Sequence, residues 1–152
     1  LDRFMFQLQV AYPSFEDEMR IASQTTTDVR EDVSMVLSPS EILDLQQLVR
    51  RAEASDAVAR HAVELVRRTR PTDASATDDI RQYVNFGAGP RAVQFLILGA
   101  KTRAILRGYE TPSIEDIDAL AKPVLRHRVL VNFTAEAERV TSDDLIERLL
   151  AS

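Results

Sequence analysis

The chain has 152 residues, 45% of them hydrophobic and 28% charged, which is typical of one soluble domain with a real core. A formal net charge of -5 counts against nonspecific binding to nucleic acid or to an anionic membrane, and no apolar run reaches the roughly 20 residues of a membrane span. There is no cysteine and there are only two histidines, which excludes disulfides and argues against cysteine- or histidine-based metal sites.

The first residues predict a half-buried strand. Between residues 3 and 10 the apolar side chains recur at every second position: Phe4, Phe6, Leu8 and Val10. A lone strand at the start of a domain is unusual, and the chain begins with leucine instead of methionine. We therefore expect a part of a longer protein.

Six helices are predicted by apolar spacing and by capping residues. The predicted caps, in chain order, are Ser14, Ser38 or Ser40, Asp56, Gly89 before Pro90, Ser113 and Thr141. The helix after Pro90 is apolar on nearly every side, which predicts a place at the centre of a bundle. The predicted fold class is all-α, a bundle of about five or six helices preceded by one leftover strand.

A phosphate-binding loop is not found. Lys101-Thr102 is the only Lys-Thr or Lys-Ser pair, but Ala100 precedes it where the Walker motif has glycine. The pair also falls in the middle of a predicted helix, whereas a P-loop joins a strand to a helix. We therefore expect that this chain alone neither cradles nor hydrolyses ATP.

Arg91 is the most informative charged residue. It falls in the first turn of the predicted central helix, where the helix dipole disfavours a cation unless an anion is close by. From the residues alone, a pair with an acidic neighbour or a solvated side chain is the simpler interpretation. Arg3 is predicted to form a surface ion pair with Asp2. The basic run Arg126-His127-Arg128 is predicted to stabilise the C-terminal end of a helix dipole.

Four segments together resemble the MoxR family of AAA+ ATPases. LDRFMF resembles the family's EAQLDRFM segment, and GAGPRA resembles its GASPRA motif. PSIEDIDALAKPVLRHRV resembles TPEDVKALAPPVLRHRL, and VTSDDLIERLLA resembles the closing helix. Order and approximate spacing agree over most of the chain, while residues 23–79 match only loosely.

The resemblance implies roles for particular residues. Arg3 matches the arginine finger, which reaches the ATP of a neighbouring subunit, and Arg91 matches the sensor-2 arginine of the lid, with Gly89 and Pro90 beside it. Gly89 stands where the family usually has serine, and one residue is inserted near Pro112. The Walker motifs of such an ATPase lie upstream of this region. Whether Arg91 acts in cis or in trans is left open.

For the full-length protein, the resemblance implies a cytoplasmic ATPase that uses ATP and Mg²⁺, forms hexameric rings and remodels or activates partner proteins. Some of those partners are von Willebrand factor A-type proteins; no nucleic acid or membrane is implied. Two other classes of protein fit the residues less well. A free-standing helical adaptor is disfavoured by the unpaired strand, and a helix-turn-helix DNA binder is disfavoured by the acidic net charge.

Overall fold

The computed structural model describes residues 2–28 and 33–152. Within these ranges there are eight helices: α1 (Phe15–Thr25), α2 (Pro39–Arg51), α3 (Asp56–Arg68), α4 (Asp78–Tyr83), α5 (Pro90–Leu106), α6 (Ile114–Leu125), α7 (Phe133–Ala137) and α8 (Ser142–Ala151). Two short strands, β1 (Val84–Phe86) and β2 (Leu130–Val131), pair antiparallel, with Val84 opposite Val131. The described helices include none with the length and hydrophobicity of a membrane span.

Helix α5 lies at the centre of the bundle, as its all-round apolar sequence predicts. It packs against α2, α3 and α6, and α8 closes the far side of α6. The buried residues of α5 are mostly small: Ala92, Leu96, Gly99, Ala100 and Ala104. Small side chains allow neighbouring helices to approach closely, which suits a central helix that has a neighbour on several sides.

Gly99 shows how close this approach is. A Cβ atom added to it would lie 2.7 Å from Leu120 Cδ1 on α6 and 3.1 Å from Met5 Cε. Both distances are shorter than ordinary van der Waals contact. The N-terminal segment and α6 therefore meet α5 at the one position in its buried face that has no side chain.

Most of the predicted helix starts are confirmed. Ser38 caps α2 in preference to Ser40, and capping boxes at Ser113 and Thr141 start α6 and α8. The cap of α3 is Ser55, one residue before the predicted Asp56, because its hydroxyl accepts the Val58 amide hydrogen bond.

The predicted leading strand is wrong. Residues 6–14 form neither strand nor helix, and residues 2–5 form turns and bends. The apolar side chains that a sheet would have covered are largely exposed: Phe4 68%, Phe6 41%, Leu8 74% and Val10 92%. Instead of a ladder, a single backbone bond joins the Gln7 N–H to the Pro123 carbonyl, at 2.9 Å. Alternation alone therefore did not make a strand where the structure provides no edge to pair with.

The helix count is also higher than predicted, because α4 and α7 were missed. They have six and five residues, too few for a helical period to show in the sequence. The side chains of Thr77 and Asn132 cap them.

Candidate functional site

The N-terminus of α5 is built as the sequence predicted, but without a side-chain cap. Gly89 is the N-cap residue in an extended conformation, and Pro90 is the first helical residue. The loop before it is anchored to the end of α3, since the Ala88 N–H donates to Thr69 Oγ1 at 2.9 Å and the Ala88 carbonyl accepts from Arg70 Nε at 2.9 Å. This end of α5 is therefore fixed in place, and no side chain caps its first turn.

Arg91 lies in that first turn, and its side chain is 47% exposed. Its Nη1 donates to Asp2 Oδ2 at 2.8 Å, and the Asp2 carboxylate is 53% exposed. The acidic neighbour considered from sequence is thus present, and it comes from the N-terminal segment. The pair lies at the surface, where water screens it, so the guanidinium remains accessible.

Arg128, just beyond the end of α6, is the opposite case. Its side chain is 1% exposed, and its Nε donates to Asp2 Oδ1 at 3.1 Å. Its two Nη groups donate to four backbone carbonyls: Asp2 (2.9 Å), Phe4 (2.6 Å), Met5 (3.3 Å) and Val124. The guanidinium also lies 5.0 Å from the centre of the Phe95 ring, a cation–π contact with α5. Burial lowers the pKa of the Arg128 guanidinium, although the hydrogen bond to Asp2 opposes that shift.

The two residues before Arg128 hold the same segment. Arg126 binds both carboxylate oxygens of Asp143, at 3.0 and 2.9 Å, and donates to the Gln7 carbonyl at 3.2 Å. His127 Nε2 lies 3.0 Å from the Phe4 carbonyl, which can only accept, so Nε2 carries the hydrogen. Its Nδ1 is buried and has no partner among the described residues. Desolvation lowers the pKa of His127.

We name Arg126, His127 and Arg128 the RHR clamp, because all three contact the N-terminal segment. The dipole interpretation of this basic run missed that role, since the acceptors lie about 120 residues earlier in the chain. One signal was available in the sequence. Three consecutive basic residues are more than a helix C-terminus needs, and a run of that kind calls for specific acceptors.

Arg3 lies in the turn that the RHR clamp holds. It is exposed, and within the described residues its side chain makes no hydrogen bond or ion pair. Both chain neighbours, Asp2 and Phe4, are bound by Arg128, so the backbone of Arg3 is fixed while its side chain projects into solvent. The structure thus brings Arg3 and Arg91 to one region through Asp2.

Lys101 and Thr102 lie within α5, far from any strand-to-helix turn. The Thr102 hydroxyl donates to the Leu98 carbonyl of the preceding turn at 2.9 Å. The pair therefore has neither the position nor the free hydroxyl of a P-loop.

The helical bundle around α5 also matches a known protein family. Residues 76–149 match the AAA lid domain. The chain carries an AAA+ lid-type helical domain, and the resemblance to MoxR-type ATPases is confirmed by the relatives.

The relatives extend the similarity to nearly the whole chain. The chaperone MoxR1 of Mycobacterium tuberculosis is 30% identical over 149 residues, which are 98% of this chain and 39% of that protein. Protein MoxR of Paracoccus denitrificans is 27% identical over 91% of this chain and 44% of its own length. A crystal structure from Cytophaga hutchinsonii, provisionally described as an ATPase, superposes with a TM-score of 0.88 at 26% identity. The superposition covers 99% of this chain and 46% of the Cytophaga hutchinsonii chain.

The chain therefore spans less than half the length of each of these relatives.

Proposed function

We propose that this chain is the lid region of a MoxR-type AAA+ ATPase and that Arg91 is its sensor-2 arginine, which contacts the γ-phosphate of bound ATP. The observation that carries the proposal is the state of Arg91. It is half-exposed, it lies in a helix first turn that lacks a side-chain cap, and it has one exposed carboxylate partner in the described part of the chain. A phosphate group would be stabilised by both the guanidinium and the positive end of the helix dipole.

Arg3 is proposed as the arginine finger, acting on the ATP of a neighbouring subunit in a hexameric ring. A finger needs a fixed backbone and an unoccupied guanidinium, and the turn at Arg3 provides both within the described residues. When bound, Mg²⁺-ATP supplies the phosphoryl group whose charge such arginines stabilise. We propose residues 1–12 as the end of the ATPase core and residues 13–152 as the lid.

The wider activity is proposed from the relatives' names. Since one relative is a chaperone, we propose that the full-length protein is a cytoplasmic ATPase that remodels or activates partner proteins. A von Willebrand factor A-type protein is one partner class to test.

The test is ATP turnover by the full-length protein with Arg91→Ala. Loss of a charge-assisted hydrogen bond to the reacting phosphate should lower kcat by about 10- to 100-fold. Arg148→Ala is the matched control, because Arg148 is 49% exposed and pairs with one carboxylate, Asp79, at 2.9 Å. Its turnover should match the wild type.

Unchanged turnover in Arg91→Ala would remove Arg91 from the site. The isolated 152-residue chain should show no turnover at all, and measurable hydrolysis by it would contradict the assignment as a lid.

A further inference from the structure

One carboxylate bridges two guanidinium groups at the proposed site. Asp2 Oδ1 accepts from Arg128 at 3.1 Å and Asp2 Oδ2 accepts from Arg91 at 2.8 Å. Asp2 is also the residue before the proposed finger, Arg3. A single side chain therefore joins the finger segment, the first turn of α5 and the end of α6.

The two arginines depend on Asp2 to very different degrees. Arg128 is buried and donates to three backbone carbonyls of the N-terminal segment besides the carboxylate, so it holds the segment without help from the Asp2 side chain. Arg91 is half-exposed, and within residues 2–28 and 33–152 its guanidinium has no other hydrogen-bond acceptor. Exposed ion pairs contribute little to stability, so Arg91 can exchange its partner at small cost.

The charge balance favours such an exchange. Arg91, Arg128 and Arg3 carry three positive charges around the single negative charge of Asp2. The cluster therefore has an excess of positive charge that an arriving phosphate would neutralise. A phosphate dianion is also a stronger acceptor for a guanidinium than one oxygen of a shared carboxylate.

We propose that Asp2 is a positioning residue that holds Arg91 against the finger segment when no nucleotide is bound and releases it to the γ-phosphate of ATP. Arg128 keeps the segment docked throughout. This inference rests on the proposed function of Arg91. It makes the Asp2 carboxylate a competitor of the γ-phosphate for Arg91. Binding of ATP therefore breaks the ion pair between Arg91 and Asp2, the residue next to Arg3.

The test is a double-mutant cycle in the full-length protein, read as the Kd of a nonhydrolysable ATP analogue. Asp2→Asn keeps an oxygen for Arg128 Nε but removes the charge that competes for Arg91. The variant should bind the analogue about 2- to 5-fold more tightly, the equivalent of one exposed ion pair, with ADP affinity unchanged. In an Arg91→Ala background, Asp2→Asn should have no effect.

The matched control is Asp79→Asn, which removes the same charge from an equally exposed Arg–Asp pair elsewhere on the molecule. It should leave the Kd unchanged. Exchange of the Gln7 amide, which is bonded to Pro123, reports whether the segment stays docked in each variant.

The outcomes separate the two levels of the assignment. If Arg91→Ala weakens binding of the analogue but Asp2→Asn does not strengthen it, the role of Asp2 is wrong and the sensor assignment stands. An equal gain in the Arg91→Ala background would also overturn the role of Asp2. Loss of Gln7 protection in Asp2→Asn would show that the carboxylate holds the segment itself, which contradicts the inference. If Arg91→Ala alters neither binding nor turnover, the proposed function fails first.

Discussion

Helices α2 and α3 have the same length, 13 residues, and both begin at a serine cap, yet only α3 belongs to the core. Helix α3 buries four residues: Val58, Ala62, Leu65 and Val66. Helix α2 buries none, although it is amphipathic and lies beside α5, and α1 buries none either. Local signals therefore decide that a helix forms, whereas burial depends on whether a complementary surface is available.

The contrast extends to how each region is held. Residues 54–152 are joined by apolar packing around α5. Residues 2–7 are attached mainly by polar contacts from the RHR clamp, with Met5 as a partly buried apolar contact over Gly99. Apolar packing gains free energy over a wide area, while the clamp depends on a few directional bonds.

The largest expected effect would test this contrast in stability. Leu96→Ala, at a fully buried position of α5, should lower the free energy of unfolding by about 2–5 kcal/mol, because it removes transfer energy and leaves a cavity. Leu43→Ala on α2, where the side chain is 58% exposed, should cost less than about 1 kcal/mol. Urea denaturation measures both. Equal losses would mean that α2 is covered as fully as α5.

A smaller effect is expected at the clamp. Arg128→Ala removes buried, charge-assisted bonds and should cost about 2–3 kcal/mol, with faster hydrogen exchange at the Gln7 amide. Arg148→Ala breaks an exposed pair and should cost at most about 1 kcal/mol, with Gln7 exchange unchanged. If Gln7 stayed protected without Arg128, the segment would not depend on that guanidinium.

The smallest expected effect is a pH dependence of the clamp. Burial lowers the pKa of His127, so the folded state favours the neutral ring relative to the unfolded state. The contribution of the neutral ring to the free energy of unfolding is complete above pH 6.5. It should decline as the pH falls from 6.5 toward the lower pKa of the folded state.

His127→Gln keeps an N–H donor for the Phe4 carbonyl and has no titration. Urea denaturation should be carried out between pH 6.5 and about 5, above the range where most carboxylates titrate. Over this range the free energy of unfolding should change less with pH in the variant than in the wild type. A slope as steep as that of the wild type would assign the pH dependence to another group.

The sequence predicted the six longer helices, most of their caps and the central place of α5, because helical periodicity and capping are local properties. It also placed Arg91 correctly in the first turn of α5. The short helices α4 and α7 are below the length at which a period can be recognised.

The strand was predicted from the alternation of apolar side chains between residues 3 and 10. Such a segment forms a strand only if the edge of another strand is available to pair with it. The contacts of Asp2 and Arg128 join residues 126 positions apart, and no local pattern encodes such a pairing.

The missing side chain at Gly99 has a consequence for how this lid can change in evolution or by design. Alanine is the smallest possible replacement, yet its methyl group would already press on Leu120 at 2.7 Å and on Met5 at 3.1 Å. The ends of the Leu120 and Met5 side chains would have to move to make room for it. A methyl group at one interior position would therefore displace the Met5 side chain, two residues from Arg3, without touching any charged residue.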